Sequence, residues 1–302
     1  MDSWSTGSIR QYRVYIRKWA AFCKNHNLDP LNTSVIHGTN FLLELYDNGS
    51  SYSALNTARS ALSSVVHQID GFDFGKHPII KRFLMGVFKN RPNLPKYHTI
   101  YDPDKVLDYL REMPTWRKLA SKGPLKVNVE IDIRVLTLKI TTLLAFASGH
   151  RSQSLSFLSL DHMDINDNHI TLYIPKIVKN TSPSFHPSPI DLPAFPEDEN
   201  ICPVKNIIDY IKATEPKRKS RNLIISFATF SAVTSQTIRR YITTVLEAAG
   251  IDITTFSAGS TRHASNSQKK FADVPLEQIL KCGGWKNDSS FKKHYLKNID
   301  YE

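Results

Sequence analysis

The chain has 302 residues, 41% of them hydrophobic, which is enough for one large or two medium domains with their own cores and excludes a mainly disordered protein. Lysine and arginine outnumber the acids 39 to 28, a formal net charge of +11. The cations recur in every segment, which favours a polyanion-binding surface over a basic tail and makes nucleic acid the first partner to consider. Cys23, Cys202 and Cys282 lie far apart without CxxC spacing, so neither a disulfide framework nor a thiolate metal site is indicated. No apolar run approaches the roughly 20 residues that span a bilayer, and the opening MDSWSTGSIR lacks a signal-peptide core. The expectation is an intracellular, soluble protein with no membrane partner.

Ser8 to Asn25 carries Tyr12, Tyr15, Trp19, Phe22 and Cys23 at helical spacing, with arginines on the other faces. Asn32 to Asp47 and Ser51 to Ile69 repeat the pattern, separated by Gly49 and Ser50, and Pro78 to Phe88 makes a fourth helix. These read as an all-α domain over residues 1–90, in which Arg59, Lys81, Arg82 and Arg91 are candidates for phosphate contact. A basic, proline-containing linker follows over 91–101, with Lys96 a further candidate. A helix starts at Asp102 with Pro103 in its first turn, and a strongly apolar helix runs from about Glu130 to Ser148 and ends at Gly149.

Arg151 directly follows that buried helix, where an unpaired cation at a core edge is costly and calls for an anion or an internal carboxylate. Between Met163 and Asp191 the period changes to two, which predicts a small hairpin whose loop holds Lys176 and Lys179. Asp161, Asp164 and Asp167 lack calcium-loop spacing and read as turn and strand-edge acids. Pro203 to Thr214 and Ser235 to Ala249 are helical, and the run PKRKSR between them reads as a nuclear import signal, a phosphate contact or a solvated loop. Arg262 falls in the first turn of a helix begun within 257–271, Pro275 to Cys282 forms another, and Lys281 to Asn298 is the last helical segment. That segment holds Trp285, Phe291 and Tyr295 among five lysines, and a phenol becomes a nucleophile only where cations or a base stabilise its oxyanion.

The ordered set Gly149-His150-Arg151, Lys179, Arg262-His263-Ala264, Gly284-Trp285 and Tyr295 resembles the tyrosine recombinase (phage integrase) family. The resemblance covers nearly the whole chain. The stretches HRSQSL, GSTRHAS and ILKCGGWKNDSSFKKHY, with the opening SWSTGSIRQYRVYIRKW, are most similar to the eukaryotic branch carried by DIRS and Crypton transposons. Two positions depart from the family pattern: Gly259 replaces the histidine three residues before the second arginine, and Ser154 replaces the acid three after the first. The resemblance implies a mostly α fold with a small antiparallel sheet. A SAM-like core-binding domain and an α+β catalytic domain over 102–302 would together form a two-domain DNA clamp.

The same resemblance implies the chemistry. Tyr295 would attack a DNA phosphodiester to give a 3′-phosphotyrosyl link and a free 5′-hydroxyl, with bond energy conserved, so that neither a nucleotide cofactor nor a metal is needed. Arg151 and Arg262 would hold the non-bridging oxygens, since a planar guanidinium forks onto phosphate. Lys179, or Lys176 as the alternative, would protonate the departing oxygen. Trp285 would donate its indole N–H, and His263 or His294 would compensate for Gly259. The implied partners are double-stranded DNA and further copies of the chain, a homodimer on one site and a homotetramer in synapsis. A mobile element's protein of this branch would act in the nucleus; otherwise the protein belongs in the cytoplasm or nucleoid. The competing reading is a descendant that binds DNA but has lost cleavage.

Overall fold

The structure is a computed structural model and describes residues 4, 6–114, 129–166, 168–178, 181–182, 184–285, 288, 291 and 297–301. Tyr295, His294, Lys179 and Asp167 lie outside the described residues. The chain divides into two compact units, Met1–Lys96 and Tyr97–Glu302.

The first unit contains α1 (Thr6–Asn25), α2 (Val35–Asp47), α3 (Tyr52–Leu62) and α4 (Pro78–Asn90). Apolar stripes of these amphipathic helices meet in a core around Trp19, Phe41, Leu42, Leu55, Leu62 and Ile80. Trp19 is 1% exposed, and its indole donates to the Pro30 carbonyl at 2.9 Å, so a loop is tied to the same side chain that fills the core. Ser34 and Ser51 cap α2 and α3 by accepting from the backbone N–H three residues on. The third helix ends at Leu62 instead of reaching Ile69. Ser63 turns its hydroxyl back to the Arg59 carbonyl and accepts from Gly75, and both Val65 and Val66 donate to the Leu62 carbonyl in a tight turn.

The second unit opens with β1 (Thr99–Tyr101), whose residues the sequence had placed in the linker. It pairs in parallel with β5 (Asn298–Asp300), Ile100 opposite Ile299, which draws the end of the chain onto its start within this unit. Between them run α5 (Pro103–Glu112), α6 (Val129–Ser148) and the short α7 (Ser152–Ser156). The strands β2 (Met163–Ile165), β3 (His169–Leu172) and β4 (Ile190–Pro193) form an antiparallel sheet in that order. The expected hairpin is β3 and β4; β2 is an added edge strand, its Asp164 accepting from the Tyr173 hydroxyl at 2.8 Å. Next come α8 (Pro203–Thr214), α9 (Ser235–Ala248), α10 (Thr261–Phe271) and α11 (Leu276–Cys282). The sheet's inward residues Ile170, Leu172, Ile190 and Leu192 join α6, α8 and α9 in one core, with α6 at its centre.

The last segment is not one helix from Lys281 to Asn298. It breaks at Gly283 and Gly284 after α11, is helical at Asp288 and Phe291, and has become a strand by Asn298. No helix of the described residues is long and apolar enough to cross a membrane.

Trp19→Ala removes the largest side chain of the first unit's core together with its tie to Pro30. We expect a loss of about 3–5 kcal/mol in the unfolding free energy of that unit, measured by chemical denaturation followed by circular dichroism.

Candidate functional site

The site begins where α6 stops. Gly149 takes φ +63°, a left-handed conformation that closes the helix, and a Cβ there would lie 3.1 Å from Asn266 Oδ1. The reversal aims His150 into the interior at 6% exposure and leaves Arg151 half-buried at the start of α7. The Ser148 hydroxyl stabilises the turn by accepting the His150 backbone N–H at 3.2 Å.

The second arginine enters from the first turn of α10. Ser260, Thr261 and Arg262 are all buried there, Arg262 with 4% exposure. Its Nη2 donates to the Gly283 carbonyl at 2.9 Å, and its Cζ lies 3.9 Å from the centroid of the Trp285 ring. The Arg151 Cζ is 5.6 Å from the same centroid, so two guanidinium groups converge on one indole.

Trp285 is delivered by the end of α11. Trp285 N–H donates to the Leu280 carbonyl at 2.9 Å and Gly284 N–H to the Lys281 carbonyl at 3.2 Å, the paired bonds of a Schellman turn. That turn requires a left-handed residue, and Gly284 supplies it at φ +63°. Trp285 and Leu280 pack in one apolar cluster with Ile279 and Phe291, the apolar contact that accompanies such turns.

His150 fastens this loop from a third direction through a hydrogen bond donated to the Cys282 backbone carbonyl. Burial, and after it the charge of Arg262, push its pKa down to about 3, so the imidazole is neutral. Its Nε2 is buried and has no hydrogen-bond partner among the described residues.

These groups border a cleft of about 230 Å³ lined by Tyr97, His150, Arg151, Ser152, Arg239, Gly259, Arg262 and His263 over an apolar floor that includes Ile242. Among the described residues no carboxylate lines it. His263 is half-buried, its ring edge-on to Tyr97 with centroids 5.5 Å apart. Thus three of the expected residues, Arg151, Arg262 and His263, line this cleft, and a fourth, Trp285, is buried against both guanidinium groups without lining it. Lys176 is exposed, with Nζ 5.1 Å from the Phe157 ring centroid, and does not line this cleft. Arg239 and Tyr97 were missed. On the sequence, Arg239 is one of two adjacent arginines on an amphipathic helix, and Tyr97 sits in an apparent linker.

In the first unit, Lys81, Arg82 and Lys96 are exposed. Arg59 and Arg91 depart from the expectation of open phosphate contacts, because carbonyls at turns and helix ends use their donors. Arg59 donates to Gly75 O at 2.9 Å and Asn56 Oδ1 at 3.0 Å. Arg91 donates to Tyr46 O at 2.7 Å and Ser50 O at 3.1 Å, and stacks 3.8 Å from the Tyr46 ring centroid.

Residues 127–301 match the model of the phage integrase family, more than half of the chain, and the protein belongs to that family. Solved structures share its fold at low identity. A post-cleavage complex of the XerH site-specific recombinase with a palindromic difH substrate is 15% identical with TM-score 0.62, over 92% of this chain and 73% of that one. The Tn1549 transposon integrase in complex with transposon right end DNA is 12% identical with TM-score 0.56, over 84% and 78%. A lambda integrase dimer on a COC′ core site is 15% identical with TM-score 0.52, over 96% and 88%. No curated protein sequence matches the chain.

The unfolded chain takes up a proton at His150 near pH 6.5 that the folded chain refuses until about pH 3. This group therefore lowers stability as pH falls through that window, by roughly 1.4 kcal/mol per pH unit, and has no effect above it. His150→Asn keeps a donor toward Cys282 and removes the titration, so the unfolding free energy measured against pH should fall less steeply in the variant.

Proposed function

We propose that the protein is a tyrosine-type DNA recombinase that breaks and rejoins strands through a 3′-phosphotyrosyl intermediate. The observation that carries this reading is that Arg151 and Arg262 approach one indole and line one cleft that no carboxylate of the described residues lines, in a chain of the phage integrase family. Two guanidinium groups held close together favour a shared anion, and a phosphodiester presents two non-bridging oxygens to two planar donors. The solved recombinases and integrases that the fold resembles are in complexes with DNA, which supports the same substrate here.

In the proposed step the Tyr295 oxygen forms a bond to phosphorus as the bond to the 5′-oxygen breaks. The phenol gives up its proton to water or His263, and the 5′-oxygen takes one from Lys179, or from Lys176 if the loop brings it closer. Arg151 and Arg262 neutralise the charge on the crowded phosphorus centre, and Trp285 supports both guanidinium groups with its ring. The released 5′-hydroxyl then attacks the corresponding link on a second strand, with the number of phosphoester bonds unchanged. No nucleotide cofactor or metal enters this scheme.

The first unit then serves as the core-binding domain, with Lys81, Arg82 and Lys96 on phosphates, and the second as the catalytic domain of a clamp on duplex DNA. Pairing two sites needs a homodimer on each and a homotetramer in synapsis. The GSTRHAS and GGWKNDSSFKKHY stretches resemble those of DIRS and Crypton elements, which supports a role in integration or excision of a mobile element in a nucleus. Gly259 favours a second reading, a DNA-binding descendant with little cleavage. Among the described residues a Cβ there would meet only Ser257 Oγ at 3.7 Å, so their packing does not dictate glycine at this position.

Incubation with a nicked suicide duplex should give a covalent protein–DNA adduct on a denaturing gel. Tyr295→Phe should abolish it, and Arg262→Ala should slow its formation by about 10²–10³-fold. Tight binding with no adduct on a duplex selected by the protein itself would establish the descendant instead.

A further inference from the structure

Arg239 is the cation at this cleft that no motif announces. It lies in the first turns of α9, three residues before Ile242 and therefore on the same helical face, and both side chains line the cleft with Arg151 and Arg262. Ile242 is 2% exposed and packs into the core, which fixes that face of α9 against the site. Arg239 itself is exposed and makes no hydrogen bond or ion pair with any described residue. Arg59, Arg91 and Arg218 differ from it, since their guanidinium groups are engaged by backbone carbonyls. The adjacent Arg240 does not line the cleft.

Gly259 borders the same cleft, and among the described residues an added Cβ would come within reach of Ser257 Oγ alone. Arg239 and Gly259 line the same cleft, so the side chain from α9 faces the position where glycine supplies no side chain. A third cation added to two others is unfavourable in the empty cleft and becomes favourable when an anion enters, the arrangement expected of an anion site rather than of a packing arginine.

We propose that Arg239 is a third phosphate-binding arginine, donating to the same phosphodiester as Arg151 and Arg262 and replacing the donor that Gly259 lacks. This rests on the recombinase reading for the identity of the anion. The convergence of the three arginines on one phosphate can be tested without any cleavage.

The test uses the full chain carrying Tyr295→Phe and a duplex selected by that protein from a random pool. Each phosphate in turn is replaced by an uncharged methylphosphonate, and affinities are compared with and without Arg239→Gln and, separately, Arg151→Gln. On the native duplex Arg239→Gln should weaken binding by roughly 10- to 100-fold, the range of one charge-assisted hydrogen bond, and Arg239→Lys by less. At one methylphosphonate position the Arg239→Gln penalty should fall below about 2-fold, and the Arg151→Gln penalty should collapse at that same position. Collapse at a different position from Arg151, or at none, overturns the proposal. Arg239 is an exposed side chain, so unchanged thermal unfolding is expected of both variants. A Tyr295-intact chain that forms no adduct on the suicide duplex would sink the cleavage reading alone, because the scan reads phosphate convergence directly.

Discussion

The second unit's site depends on the contact between Arg262 and the loop that carries Trp285. A guanidinium with 4% exposure has lost most of its water, and it is compensated by the Gly283 carbonyl on one side and the indole face on the other. Both partners exist in the right place only because Gly284 adopts φ +63° and folds the chain back over the end of α11. The first turn of α10 and the last turn of α11 are thereby locked together, and His150 adds a third attachment from the end of α6. Three segments distant in sequence are held by one buried cation, one buried neutral imidazole and one left-handed glycine.

The scaffold explains why such a loop can be held at all. The centre of the unit is α6, whose apolar face packs on α8, α9 and the small sheet, so Gly149 and Arg151 leave the core from a fixed point. The pairing of β1 with β5 returns the chain to that region after the segment containing Tyr295, within hydrogen-bonding distance of residues just before α5. Gathering cations in a cleft opposes folding slightly and favours phosphate entry, so binding energy and transition-state stabilisation would come from the same groups.

Much of this was legible in the sequence because long apolar periodicities leave few alternatives. The apolar run ending at Gly149 and the amphipathic runs from Pro203 and Ser235 correspond to α6, α8 and α9. Arg151, Arg262 and Trp285 were identified as a set, and the fold brings them together. Three-residue strands carry no detectable period, so β1, β2 and β5 were invisible, and β1 was assigned to a linker. The pair of glycines after Cys282 signalled a break that the surrounding lysines and aromatics concealed. Arg239 could not be singled out because whether an arginine on a polar helix face meets a cleft depends on how α9 packs on α6 and α7, which is a tertiary fact. Arg59 and Arg91 illustrate the converse: basic residues in a basic protein whose donors are used by local carbonyls.

The central claim is that Arg151 and Arg262 share one phosphate and that residue 295 faces it. The most direct measurement is an experimental structure of the full-length Tyr295→Phe protein with a duplex that it selects. The account predicts a single phosphate within hydrogen-bonding distance of both guanidinium groups, with the Phe ring of the variant edge-on to phosphorus and opposite the 5′-oxygen. A duplex bound elsewhere on the second unit, with the Arg151–Trp285–Arg262 cleft empty of phosphate, would contradict it.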